Sequence, residues 1–483
     1  MIDWRSIFFV IGALIACVSG IMLIPLAYEL IFQEGNSWQF FLIPFFITCS
    51  IGILLALTNY QKTQIKLGIR EAFLLTFMSW IACSFFSGLP FYWLSSDYTF
   101  TNALFESVSA LTTTGFITLE NIESIPRCLI LWRAILQWLG GIGIIVMAIT
   151  IFPVLRIGGM QLFRSEFSDR SEKILPRVSQ IAAGILYAYS LFTILGCISL
   201  NFCGMEIFDA FCHAASAIST GGLSTKNTGL IVFDNPAIEF ILMMLMIIGG
   251  STLMLYIRLW QGDYESVIRD KQLKGYLTAI GISCLTFTLY IAFQGKALLE
   301  SIRIGCFIAI STLTTTGFVL FNYMDCGPAV ITLVFLMSFI GGSTGSTAGG
   351  IKIFRFQIIG TFIRNHLKQL RRPHGVFIPI YQGQKISDHL VASVFSFVGL
   401  YLVTIAVLAV LLSLTGLNFI NSLSGAVASV SNIGMGIGKI LGPMGNLGSI
   451  PLASKIFLMI GMILGRLELL TVVIFLSPSF WRR

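Results

Sequence analysis

Thr312 to Phe318 reads TLTTTGF, and the chain carries nearly the same words earlier, ALTTTGF at Ala110 to Phe116. A run of hydroxyl residues closed by glycine and written twice is poor packing filler. Gapless alignment on the preceding small residues gives two looser copies, SAISTGGL at Ser216 to Leu223 and ASVSNIGM at Ala428 to Met435. The closing glycines are Gly115, Gly222, Gly317 and Gly434. They recur roughly every hundred residues, too long a period for a solenoid and suited to a domain-sized repeat.

Composition sets the solvent around these segments. Of 483 residues, 56% are hydrophobic and 11% charged, with a mean hydropathy of +0.89, so the chain is an integral membrane protein. A helix needs about 20 apolar residues to cross a ~30 Å hydrocarbon core. Ten stretches qualify: 6–32, 38–59, 71–95, 129–154, 179–203, 237–260, 276–294, 328–363, 389–414 and 452–476. The first is long and lacks a small-residue cleavage site, which predicts a retained helix rather than a removed signal.

Lysine and arginine near span ends favour the cytoplasm. Nineteen of the 30 lie in the segments after the second, fourth, sixth and eighth spans, among them Lys62, Lys66 and Arg156 to Arg177. Both termini are then expected on the cytoplasmic side, and the outer face is net acidic. Topology accounts for the net charge of +8, so no nucleic-acid partner is required. The ten cysteines form no C-x-x-C pair and read as small hydrophobes within apolar spans.

The expected organisation is an N-terminal helical hairpin at 1–68 and four units at 69–165, 166–268, 269–380 and 381–483. Each unit reads span, half-length helix, hydroxyl-glycine segment, span. The half-length helices fall before the four segments, at 101–111, 206–218, 299–312 and 418–430. Irregular backbone at membrane depth is tolerated only where it is buried in protein or lines a watery cavity. Two full spans per unit make the units parallel, so all four segments enter from the outer face toward one axis. The fold class is therefore an all-α polytopic membrane protein, with about ten transmembrane helices and four re-entrant pore loops around a central pore.

Such segments suit a monovalent cation. Glycine permits backbone conformations closed to other residues, so successive carbonyls can turn inward and replace an ion's water shell. The half-helices aim the negative ends of their dipoles at the same axis. The candidate ion contacts are Thr113, Thr114 and Gly115; Thr220, Gly221 and Gly222; Thr315, Thr316 and Gly317; and Asn432, Ile433 and Gly434. No charged side chain lies among them, which favours an ion held by neutral dipoles over a divalent one.

These four segments, with FIGGSTGSTAGGIKIFR at 339–355 and GRLELLT at 465–471, resemble the Trk/Ktr/HKT superfamily of potassium transporters over essentially the whole chain. The extra hairpin resembles its bacterial TrkH-type branch. The resemblance implies potassium uptake across a bacterial inner membrane, no cofactor, and a homodimer docked on a cytosolic ring of TrkA-type nucleotide-binding subunits. Basic loops at 155–177 and 364–388 are the expected docking surfaces. It also implies that the four glycines form a potassium filter, and that the loop containing Gly341, Gly342, Gly345, Gly349 and Gly350 gates the path below it. Arg466 is implied to reach into the pore. Glycine rather than serine at the first position implies potassium rather than sodium. Two departures, the double glycine of the second segment and Asn432 with Ile433 in the fourth, make the pore only approximately fourfold.

The residues themselves constrain these roles. GGSTGSTAGG at 341–350 cannot hold a stable helix in the middle of 328–363. It is no phosphate-binding loop, because Lys352 follows Ile351 and no Ser or Thr comes next. Lys352 and Arg355 are expected to point to the cytoplasm. Arg466 must face a cavity or find a partner, and Glu468, two residues on, projects from a different face. Arg133 and Glu29 carry no assignment. None of His213, His366, His374 and His389 places a base beside a serine nucleophile, so no enzyme is expected. The alternatives are a sodium- or proton-coupled carrier with broken helices at a midplane site, and more remotely an intramembrane hydrolase.

Overall fold

The computed structural model describes residues 2–33, 37–61, 68–94, 98–150, 178–443 and 445–481, and it is nearly all helical. The expected docking loop 155–177 and the basic residues Lys62 and Lys66 lie outside the described residues.

Helices α1 (Trp4–Phe32) and α2 (Gln39–Thr58) form the expected hairpin. Asp3 caps α1, its carboxylate accepting the Ser6 N–H at 3.3 Å. The pair crosses at Gly12 and Gly52, where an added Cβ would lie 2.5 and 2.6 Å from the backbone nitrogens of Ala56 and Ala16. Small residues thus let the backbones approach. On α1, Ile7, Ile11, Ile15, Val18 and Met22 are buried at helical spacing, while Leu23, Ile24 and Ile31 face outward. The buried stripe packs on α3 (Ile69–Tyr92) and α5 (Arg127–Thr150).

Four half-length helices follow the full ones: α4 (Phe100–Leu111), α7 (Ile207–Ile218), α11 (Leu298–Leu313) and α15 (Phe419–Ser431). At 1.5 Å per residue a 12-residue helix is about 18 Å long, well short of a bilayer core. Their C-terminal halves are buried on every side, as backbone that stops at membrane depth requires. Each packs against the long helix before it, namely α3, α6 (Val178–Phe202), α10 (Lys271–Phe293) and α14 (Asp388–Leu414).

Two of the ten expected spans are corrected. The stretch 237–260 is not one helix: α8 (Pro236–Gly250) and α9 (Met254–Trp260) meet at 98°. Ser251 is extended there (φ −92°, ψ 164°), and Thr252 Oγ1 donates to the Thr344 carbonyl at 2.7 Å. The stretch 328–363 is split as expected, into α12 (Pro328–Met337) and α13 (Ile353–Arg371). The stretch 452–476 also breaks, because α16 (Leu452–Arg466) stops and α17 (Leu470–Val473) restarts beyond a left-handed Glu468 (φ 55°). Seven uninterrupted helices among the described residues are long and apolar enough to cross a membrane, eight if α8 and α9 count as one. The region 364–388 holds the end of α13 and a short antiparallel hairpin pairing Ile380–Tyr381 with Gln384–Lys385.

Candidate ion pathway

All four half-helices end in the same turn. The N–H groups of Thr114, Gly221, Thr316 and Ile433 donate five residues back, to Ser109, Ser216, Ser311 and Ala428, at 2.8 to 3.0 Å. The residues just before them donate three back, to Ala110, Ala217, Thr312 and Ser429. This pair of bonds is the Schellman motif, whose left-handed position is normally glycine or asparagine. Here Thr113, Thr220 and Thr315 take it at φ 53° to 57°, and Asn432 at φ 51°. A β-branched residue in that region is strained by about 1–3 kcal/mol and persists only when its surroundings over-determine it. Gly115, Gly222 and Gly317 then also have positive φ, whereas Gly434 does not, so the fourth segment departs in conformation as well as in sequence.

The four segments close a circle in chain order. A Cβ added to Gly115 would overlap the Gly221 carbonyl, one on Gly222 the Thr316 carbonyl, and one on Gly317 would lie 2.9 Å from Gly434 N. From Gly434 the contact returns to the first segment, 2.7 Å from the Thr114 carbonyl. The surrounding helices repeat this order: α5 packs on α7, α8 on α11, and α16 on α4. Asn432 ties the last segment to the first, its Nδ2 donating to Thr114 Oγ1 at 3.1 Å and to the Met462 carbonyl at 2.8 Å. The side chain of Ile433 is fully buried with Phe105, Val108 and Phe116, which leaves only its backbone for an ion.

Residues 341–350 lie directly against this circle. Gly349 N–H donates to Thr315 Oγ1 at 2.7 Å, Thr347 Oγ1 lies 3.2 Å from Thr220 Oγ1, and Gly349 abuts the Ser431 carbonyl. The loop is anchored at its ends, with Gly341 N–H bonded to Ile351 O and Ile351 N–H to Phe339 O. It is anchored in its middle too, Ser343 N–H donating to Gly250 O and Thr347 N–H to Gly249 O. Gly342, Gly345 and Gly350 complete it. Arg466, fully buried, donates from Nη1 to Thr347 O at 2.7 Å and from Nη2 to Gly140 O at 2.9 Å. It thereby pins the loop to the second long helix of the first unit.

Among the described residues, the other buried charges meet either an opposite charge or a neutral hydrogen-bond partner. Arg355 and Glu468 form an ion pair, with the Arg355 guanidinium 3.6 Å over the Phe397 ring. Lys352 Nζ donates back to the Ala348 carbonyl. The expectation that Lys352 and Arg355 face the cytoplasm is therefore wrong: both are buried beneath the loop, where the break after Arg466 swings Glu468 toward them. Arg133 lies 3.4 Å from Glu106, whose other oxygen accepts the N–H groups of Thr118 and Leu119 just beyond the first segment. Glu29 accepts the Ser37 N–H at 3.0 Å in the hairpin turn. His213 is spent on structure, its nitrogens 2.8 Å from Asp209 O and 3.0 Å from Ser224 Oγ.

Removing one partner of a buried ion pair strands the other charge. Glu468→Gln is expected to destabilise the protein by about 3–5 kcal/mol and lower its melting temperature in detergent. The double variant Arg355→Met with Glu468→Leu is expected to recover most of that loss. Equal melting of the single and double variants would show that the pair does not hold the break in place.

Sequence reading missed two contributors. One is Gln137 on α5, whose buried amide fills the space a side chain on Gly221 would need, which explains the double glycine of the second segment. No local signal marks it. The other is the GGST at 249–252, which repeats the GGST at 341–344 and could have announced the break between α8 and α9.

Fold and site together define a polytopic helical membrane protein in which four re-entrant half-helices converge on one circle of backbone. The family model for TrkH, described as a cation transport protein, matches residues 37–483. The chain is 38% identical over 486 residues to the Trk system potassium uptake protein TrkI of Halomonas elongata, covering 99% of this chain and 97% of that one. It is 32% identical over 485 residues to the Trk system potassium uptake protein TrkH of Escherichia coli K12, covering 99% of each. The crystal structure of the potassium transporter TrkH from Vibrio parahaemolyticus superposes with a TM-score of 0.89 at 30% identity, over 99% of this chain and all of the other. The chain belongs to the TrkH family of cation transport proteins, a family of transporters and not of enzymes.

Proposed function

We propose that the chain takes up potassium across a bacterial inner membrane through a pore whose filter is the four hydroxyl-glycine segments. The closed circle of four matched turns carries this reading: it supplies main-chain carbonyls and helix C-termini around one axis, with no charged side chain in the segments. The potassium uptake proteins to which the chain is similar support the choice of ion. The units at 69–165, 166–268, 269–380 and 381–483 each contribute one segment, and the termini face the cytoplasm. Purified protein in liposomes, with potassium flux measured while sodium and proton gradients are imposed separately, tests it. Flux that requires either gradient would favour a coupled carrier, and no flux at all would overturn the reading.

Residues 341–350 are the gate in this reading. Closed, the loop blocks the path under the filter, pinned by Arg466; a homodimer on a TrkA-type cytosolic ring moves α13, which leads from the loop to the basic region 364–388. Deleting Ser346 to Ala348 is expected to give flux that no longer depends on the partner or its nucleotide. A deletion variant that folds and stays fully regulated would assign the gate elsewhere.

A further inference from the structure

A cavity of about 480 Å³ lies between α1, α3 and α5, at the junction of the hairpin and the first unit. Its walls are Val18, Trp80, Leu136 and Leu139, and its inner end reaches Leu111 and Gly140. Its outer rim includes Leu14 and Cys17, which are exposed halfway along the 29-residue apolar α1, at a depth where the surroundings are hydrocarbon. The hydroxyls of Thr76 and Ser79 donate back to their own helix, to Ala72 O at 2.8 Å and Thr76 O at 2.9 Å. Ser87 Oγ has no partner among the described residues. A water needs two to four polar partners, so these walls do not hold a water cluster. An empty space about three times the size of one that holds benzene would forfeit contacts along its whole lining.

We propose that this cavity is a binding site for an acyl chain of a bilayer lipid, which enters past Leu14 and Cys17 on α1 and ends against the first half-helix. Leu111 is the last residue of α4, two before Thr113, and the Gly140 carbonyl receives Arg466. The chain therefore buttresses the backbone that carries the first segment and the anchor of the loop. Its link to conduction rests on the function proposed above; its occupancy does not.

The test reconstitutes the full-length protein in phosphatidylethanolamine and phosphatidylglycerol vesicles containing phosphatidylglycerol with a diazirine midway along one acyl chain. Irradiation is expected to label Trp80, Leu136 or Leu139 in addition to outward residues such as Leu54 and Leu57. Gly143 also lines the cavity, and a Cβ there meets nothing closer than Trp80 Cζ2 at 4.0 Å. Gly143→Leu should therefore intrude into the site beside Trp80, weakening the inner labels and sparing the outer ones. Labels confined to the outward residues of the wild-type protein would overturn the proposal, as would inner labels undiminished in Gly143→Leu. The wild-type pattern decides even if that variant does not fold, and Ser79→Phe intrudes on the same space from α3. Cross-linking reads occupancy directly, whatever ion the protein carries.

Discussion

Serine in place of Gly115 is expected to collapse the discrimination of potassium over sodium by roughly 10²-fold, equivalent to about 3 kcal/mol of ion preference. Gly115 sits at φ 88°, a region that L side chains rarely adopt, and its Cβ would overlap the carbonyl of Gly221 in the next segment. Either the first segment rotates or the second is pushed aside. Both outcomes re-aim carbonyl oxygens that would replace the ion's water shell. The same substitution at Gly222 meets Thr316 O and at Gly434 meets Thr114 O, so each position tests a different seam of the circle. Reversal potentials or isotope uptake in vesicles read the result. Unchanged selectivity for serine at each of the four glycines would remove the filter assignment.

Arg466→Gln is expected to raise potassium flux by roughly 30-fold. A unit positive charge about 8 Å from a cation, at an effective dielectric of about 20, opposes it by about 2 kcal/mol. Neutralising the guanidinium removes that barrier and weakens the anchor between Thr347 and Gly140, so the electrostatic and mechanical effects have the same sign. Stopped-flow flux with potassium as the only permeant cation measures the change, with monodispersity and melting as controls for folding. Flux equal to wild type in a stable variant would leave Arg466 as packing alone.

The half-helices and their closing glycines were legible because each is a local pattern: a short apolar run, small residues, then hydroxyls and glycine. The interruption at 341–350 was legible for the same reason, since five glycines in ten residues hold no helix. The bend at Ser251 was written in a second GGST, but the apolar residues around it fit one continuous span equally well. Thr113, Thr220 and Thr315 were located as candidate contacts, yet their left-handed conformation runs against the preference of threonine and is imposed by the packed turn.

By itself the sequence determined the solvent, the approximate spans and the four places where backbone must stop at membrane depth. Hydropathy and glycine content act residue by residue along the chain. Tertiary structure alone decided the partners: Arg466 with the carbonyls of Thr347 and Gly140, Arg355 with Glu468, Gln137 beside Gly221, and the order in which the four segments touch. Those choices depend on which groups meet between segments far apart in the chain, up to 326 residues for Arg466 and Gly140, once a low-dielectric interior makes an unpaired buried charge costly.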